Sequence, residues 1–144
     1  MKKALLLALL FGIARLAAAD APPTEVVQID RAKIDAALRK GGSLLANTHY
    51  KVMFGHRNGP GIVELHDHDT DVFYIVEGSA TFVTGGTIVE PRTTGPGEVR
   101  GKATTGGETH HLTQGDVIVI PKGVPHWFTE IPGDFVYFVV KVTE

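Results

Sequence analysis

Cysteine is absent from this 144-residue chain, which excludes disulfides, thiolate metal ligands and a lipid-modified N-terminal cysteine. Clustered positive charge is absent as well. The formal net charge is −2, and no run of Lys and Arg offsets it, so a nucleic-acid partner is not expected. No apolar run is long enough to span a bilayer comfortably: Ala4 to Ile13 is short, and Arg15 lies just beyond it. A phosphate-binding loop is missing too. Gly101-Lys102 has Pro96 and Ala103 where such a loop requires Gly and Ser or Thr. The length suits one domain with a real core and leaves no room for two.

The chain opens instead on a secretory pattern. Lys2 and Lys3 precede the apolar run, and Ala17-Ala18-Ala19 precede Asp20, as at a small-residue cleavage site. Residues 1–19 are therefore expected to be a signal peptide, placing the mature protein in the periplasm or outside the cell. Their removal takes away Lys2, Lys3 and Arg15 and no acid, so the net charge goes from −2 to −5. That mild acidity speaks for solubility, and no membrane association is expected once the signal is gone.

Residues 20–43 read as an N-terminal extension. Asp30 can cap a short helix, Arg31 to Lys40, that stops at Gly41-Gly42. Its apolar stripe of Ile34, Ala37 and Leu38 is narrow, which suits a helix lying on the outside of a sheet. From Leu44 to the end the pattern is that of strands. Tyr50, Val52 and Phe54 alternate with Lys51, Met53 and Gly55. Further strands are expected at Ile62 to His68, Val72 to Val76, Ala80 to Val83, Val117 to Ile120, Trp127 to Thr129 and Phe135 to Val142. The last of these is apolar on both faces, so it should be central or covered by a second subunit. Residues 87–107, rich in Thr, Gly and Pro, are the least readable, with one short strand suggested at Glu98 to Lys102. Many short strands between Gly/Pro turns make an all-β sandwich or barrel.

The chemistry-bearing stretch is Gly61-Ile-Val-Glu-Leu-His66-Asp-His68-Asp-Thr-Asp71-Val-Phe-Tyr-Ile-Val-Glu-Gly78. On an extended strand His66 and His68 project from one face, and Asp71 adds a carboxylate at the start of the next strand. Two imidazoles and a carboxylate are a metal-ligand set. A second stretch, Gly115 to Glu130, carries Pro121, Gly123 and His126.

Together these stretches resemble the two signature motifs of the cupin superfamily. The second fits in register at Gly115, Pro121, Gly123 and His126, with Glu130 at the family's Asn position. The first departs from the family pattern. Four residues rather than five separate Gly61 from His66, and Asp71 stands where the family has Glu, with six residues between it and Gly78.

The resemblance implies a single cupin jelly-roll β-barrel over residues 44–144, with one divalent ion inside, held by His66, His68, Asp71 and His126. That donor set suits iron, manganese, zinc, nickel or copper. Because Asp71 is one methylene shorter than Glu, it either approaches closer or stands behind three histidine ligands. His110, His111 and Glu130 are the candidates for a pocket acid or base. Arg57 is a candidate to orient a carboxylate, and Tyr74 to contact substrate, although an aromatic core role suits Tyr74 better. His49 and His56 are read as surface or packing residues. The expected protein is a periplasmic, metal-dependent cupin, homodimeric by resemblance, that transforms a small polar molecule as a dioxygenase or an isomerase/lyase. The competing reading is a non-catalytic module that binds a metal or small ligand.

Overall fold

A computed structural model describes residues 24–144. The expected signal peptide, residues 1–19, lies outside the described residues. The chain begins with helix α1 (Arg31–Lys40) and continues as strands β1 (Gly42–Ala46), β2 (Tyr50–Arg57), β3 (Val63–His66) and β4 (Asp69–Glu77). Next come β5 (Ser79–Thr84), β6 (Thr87–Val89), β7 (Arg92–Gly95), β8 (Glu98–Gly101) and β9 (Ala103–Thr105). The series ends with β10 (Glu108–Thr113), β11 (Val117–Ile120), β12 (His126–Glu130) and β13 (Phe135–Thr143).

Two large sheets face each other. One has the order β1-β2-β13-β4-β11, the other β10-β5-β12-β3-β8-β7, and β6 pairs with β9 apart from both. This is the all-β jelly-roll arrangement expected, built as two facing sheets that do not close into one continuous barrel. The core between them joins Phe73, Ile75, Phe135, Tyr137 and Val139 of the first sheet to Ala80, Phe82, Leu112 and Phe128 of the second. Each fully buried large side chain, such as Phe82, Phe135 or Ile75, contributes about 1.5–3 kcal/mol by leaving water.

Alternation along the strands decides what else points inward. In β4 the buried positions are Asp69, Asp71, Phe73 and Ile75; in β13 Phe135, Tyr137 and Val139 face the core, which sets Lys141 on the same side. The opposite face of β13 packs Val136 and Phe138 with Ala37, Leu44 and Phe54 under α1. The helix therefore covers the outside of the sheet through the Ile34, Ala37 and Leu38 stripe expected of it. It spans the expected residues, but Asp30 caps it only through its backbone carbonyl, which accepts from the Lys33 and Ile34 amides, with no side-chain bond. At the other end the His56 ring donates from Nδ1 to the Arg39 carbonyl at 2.7 Å, satisfying a helix-terminal acceptor.

Strand β13 lies between β2 and β4, so it is central. Most of its apolar side chains are packed within the chain, while Val142 near its end is exposed. Residues 87–107 hold four strands rather than one, and β8 among them pairs along β3.

Candidate metal centre

The site is built on four inward positions whose strands are locked in register. Strand β3 presents Glu64 and His66 two residues apart on one face. Strand β8 runs antiparallel beside it with Arg100 opposite Glu64 and Glu98 opposite His66. On the other side His126 of β12 is paired with Glu64. Across the sandwich, β13 sets Lys141 opposite Asp71 of β4. The Pro121-x-Gly123 turn ties these together, since the Gly123 amide, at φ +77, donates to the carbonyl of His66 at 2.7 Å.

Each histidine has its tautomer fixed by an oxygen. His66 donates from Nδ1 to the Glu98 carboxylate at 2.9 Å, and His126 donates from Nδ1 to the Val124 carbonyl at 2.9 Å. Both therefore turn an Nε2 lone pair toward the interior, the arrangement found behind metal-bound histidines. His126 Nε2 is buried and has no hydrogen-bond partner. Burial is the main influence on His126 and lowers its pKa, outweighing Asp71 and the Val124 bond, so the ring is held neutral. For His66 burial also lowers the pKa, but the neighbouring Glu64 carboxylate, together with Asp71 and Glu98, outweighs it, against Lys141, and the net direction is upward. Burial raises the Glu64 pKa, yet His66, Arg100 and His126 prevail and bring it down to about 2.

Glu64, His66 and His126 each offer a donor atom within 4.8 Å of the other two. Two donors at tetrahedral angles on an ion about 2.1 Å away would sit roughly 3.4 Å apart. The Glu64–His66 separation is 3.6 Å, and Asp71 lies 3.7 Å from the Nε2 atoms of both His66 and His126. With an orphaned, buried imidazole nitrogen and near-tetrahedral spacings, these residues fit a divalent ion.

The structure thus brings together three of the residues expected at the metal, His66, Asp71 and His126, and leaves out His68. The reason is local. Strand β3 ends at His66, where the Asp67 amide donates to the Gly97 carbonyl at 2.8 Å, and the chain bends before β4. His68 is exposed in that bend, packed over Gly97, where an added Cβ would sit 2.7 Å from its ring.

Glu64 takes the inward place two residues before His66, so the motif pair is Glu64-x-His66, then four residues, Asp71, six residues and Gly78. Alternation alone could have found Glu64. The remaining candidates lie elsewhere. His110 bonds Thr84 Oγ1 at 2.8 Å, while His111 and Glu130 line a shallow surface hollow. Tyr74 is on the outer face of β4, 46% exposed. Arg57 does point into the sandwich, donating to the Tyr137 hydroxyl at 3.0 Å and lying 5.4 Å over the Phe128 ring. It shares with Glu64 and His126 a cavity of about 20 Å³, room for one ion or water.

The Cupin family profile matches residues 38–144. The chain is a cupin. Solved structures agree on the jelly-roll fold. A Bacillus halodurans protein is 15% identical with a TM-score of 0.56, covering 87% of this chain and 85% of its own. The cupin domain of Schizosaccharomyces pombe Cnp3 is 14% identical with a TM-score of 0.53, over 73% of this chain and 61% of that one. The DMSP lyase DddQ from Ruegeria pomeroyi is 14% identical with a TM-score of 0.51, over 73% of this chain but 47% of its own length. At such identities the likeness concerns the fold alone. No curated protein matches the chain significantly. Among the described residues of this cupin, no helix is long and apolar enough to cross a membrane.

Proposed function

We infer that this cupin holds one divalent cation between Glu64, His66 and His126 and receives a small polar molecule at the ion's remaining positions. The observation that carries this reading is the buried, unpartnered Nε2 of His126, aimed with that of His66 at Glu64. A bound ion would supply Lewis acidity, or electron exchange if it is redox-active. Around it, Glu98 orients His66, the Val124 carbonyl orients His126, and Arg57 and Arg100 offer positive charge to an anionic group on the ligand. Ligand would approach from the groove of about 410 Å³ lined by Ile62, Glu90, Arg92, Arg100 and Lys102, because the interior cavity is too small to enclose it.

That small cavity favours a second reading, a module that binds without turnover. His110, His111 and Glu130 lie away from it, His110 against Thr84 and the other two at a surface hollow, so the reading gives none of them a role at the ion. Calorimetric titration of metal-free protein with zinc, manganese and iron, then product analysis on iron-loaded protein with small carboxylates under air, tests both. One metal per chain with product supports a dioxygenase or isomerase/lyase role, and binding without product supports the module. Absence of metal uptake overturns the metal-dependent readings and leaves only a module for a small ligand. Export to the periplasm belongs to the proposal and rests on Lys2, Lys3, the apolar run and Ala17-Ala18-Ala19. Homodimerisation belongs to it too, with the edge strand β11 as the surface: Val117 and Val119 are exposed beside Tyr74 on β4.

A further inference from the structure

Lys141 sits where its charge cannot be ignored. Its Nζ donates to both oxygens of Asp71, at 2.7 and 2.6 Å, and to Nε2 of His66 at 2.9 Å. The lone pair of His66 that a metal would need is therefore already engaged. Asp71, spaced to complete a tetrahedral set with the two histidines, is engaged as well. By contrast His126 Nε2 is unpartnered. The centre is thus divided into a half filled by an ammonium, His66 and Asp71, and a half that faces Glu64 and is open.

Resting on the metal reading above, we propose that Lys141 is a built-in cation that competes with the divalent ion for His66 and withholds Asp71 from its coordination. A metal enters only when the ammonium gives up His66, and it must then reside near a positive charge that remains on Asp71. The site consequently binds its ion weakly and exchangeably, with three protein donors rather than four. The like-charge repulsion acts at a few ångströms and in a partly desolvated interior, where it is far stronger than in water. Loss of the lysine charge would free both an imidazole and a carboxylate for the ion.

The test is calorimetric titration of untagged, metal-free protein with Zn2+, alongside the visible absorption of Co2+ as a readout of ligand number. Lys141→Met should bind Zn2+ at least about tenfold more tightly than the parent, with a Co2+ spectrum shifted toward tighter four-coordinate binding. Lys141→Arg, which keeps the charge, should bind no more tightly than the parent. If Lys141→Met does not fold, the double variant Lys141→Met/Asp71→Asn replaces it, and it should still bind more tightly because His66 is released. A parent that binds Zn2+ while Lys141→Met binds equally or less tightly overturns the competition and leaves the metal site standing. So does equal tightening in Lys141→Arg. If parent, single and double variants all fail to bind, the metal reading falls and this inference falls with it.

Discussion

Replacing Lys141 by Met should also reveal how much of the fold depends on one buried ion pair. Asp71 is 1% exposed, and its two oxygens are both bonded to the Lys141 ammonium. The nearest imidazole nitrogens, at 3.7 Å, are too far to replace those bonds. Removing one partner of such a pair leaves an uncompensated charge in the interior, at a cost of about 3–5 kcal/mol. A domain this size has only about 5–15 kcal/mol in total. In chelator the melting temperature should therefore fall by at least about 10 °C. Replacing both partners, as in Lys141→Met/Asp71→Leu, removes the orphaned charge and should recover stability to within about 1–2 kcal/mol of the parent, or exceed it. Urea and thermal melts of parent, single and double variants provide the comparison. A Lys141→Met protein that melts within about 2 °C of the parent would refute the reasoning, because the carboxylate would then be solvated or otherwise paired.

Three further outcomes are expected of the same structure. Burial works to raise the Asp69 pKa, but the Thr143 hydroxyl at 2.6 Å and the Lys51 ammonium at 2.9 Å outweigh it and lower the value. A lowered folded-state pKa adds stability that is complete above the ordinary value of 3.8 and is lost as the pH falls below it through the depressed range. Asp69→Asn should therefore be less stable than the parent at pH 7, by about 1–3 kcal/mol, and the gap measured by urea melts should close in acid. At Gly78, φ is +82 and an added Cβ would lie 2.2 Å from the Asp134 carbonyl oxygen, so Gly78→Ala should lose roughly 1–3 kcal/mol or more in the same assay. Intact mass of exported protein should begin at Asp20, as expected of cleavage after Ala19.

How far the sequence revealed this arrangement depended on whether the signal was local. Helix α1 was legible residue by residue because its cap position, apolar stripe and terminal glycines all lie within a dozen residues. Most core strands were legible because their alternation is strong, as in Tyr50 to Phe54. Residues 87–107 were legible only at β8, expected at Glu98 to Lys102, since the polar strands β6, β7 and β9 carry little apolar period and form by pairing with one another or with β8. The centre shows the same division. His66, Asp71 and His126 were found through motif spacing, and Glu64 was readable from period two. His68 was drawn in by assuming that the strand continued past His66, whereas a backbone bond to Gly97 ends it there. Glu98 depends on a cross-strand partner 32 residues away and left no local trace. Lys141 left one that is easily passed over: a lysine in the inward register of an apolar strand, two residues beyond Val139.

The central claim is that the ion sits between Glu64, His66 and His126 and that His68 takes no part. Equilibrium dialysis of untagged protein against excess zinc, with the bound metal counted by elemental analysis, tests it across the parent, His126→Ala and His68→Ala. Near one equivalent is expected in the parent and in His68→Ala, and loss of it in His126→Ala. Metal retained in His126→Ala but lost in His68→Ala would contradict it.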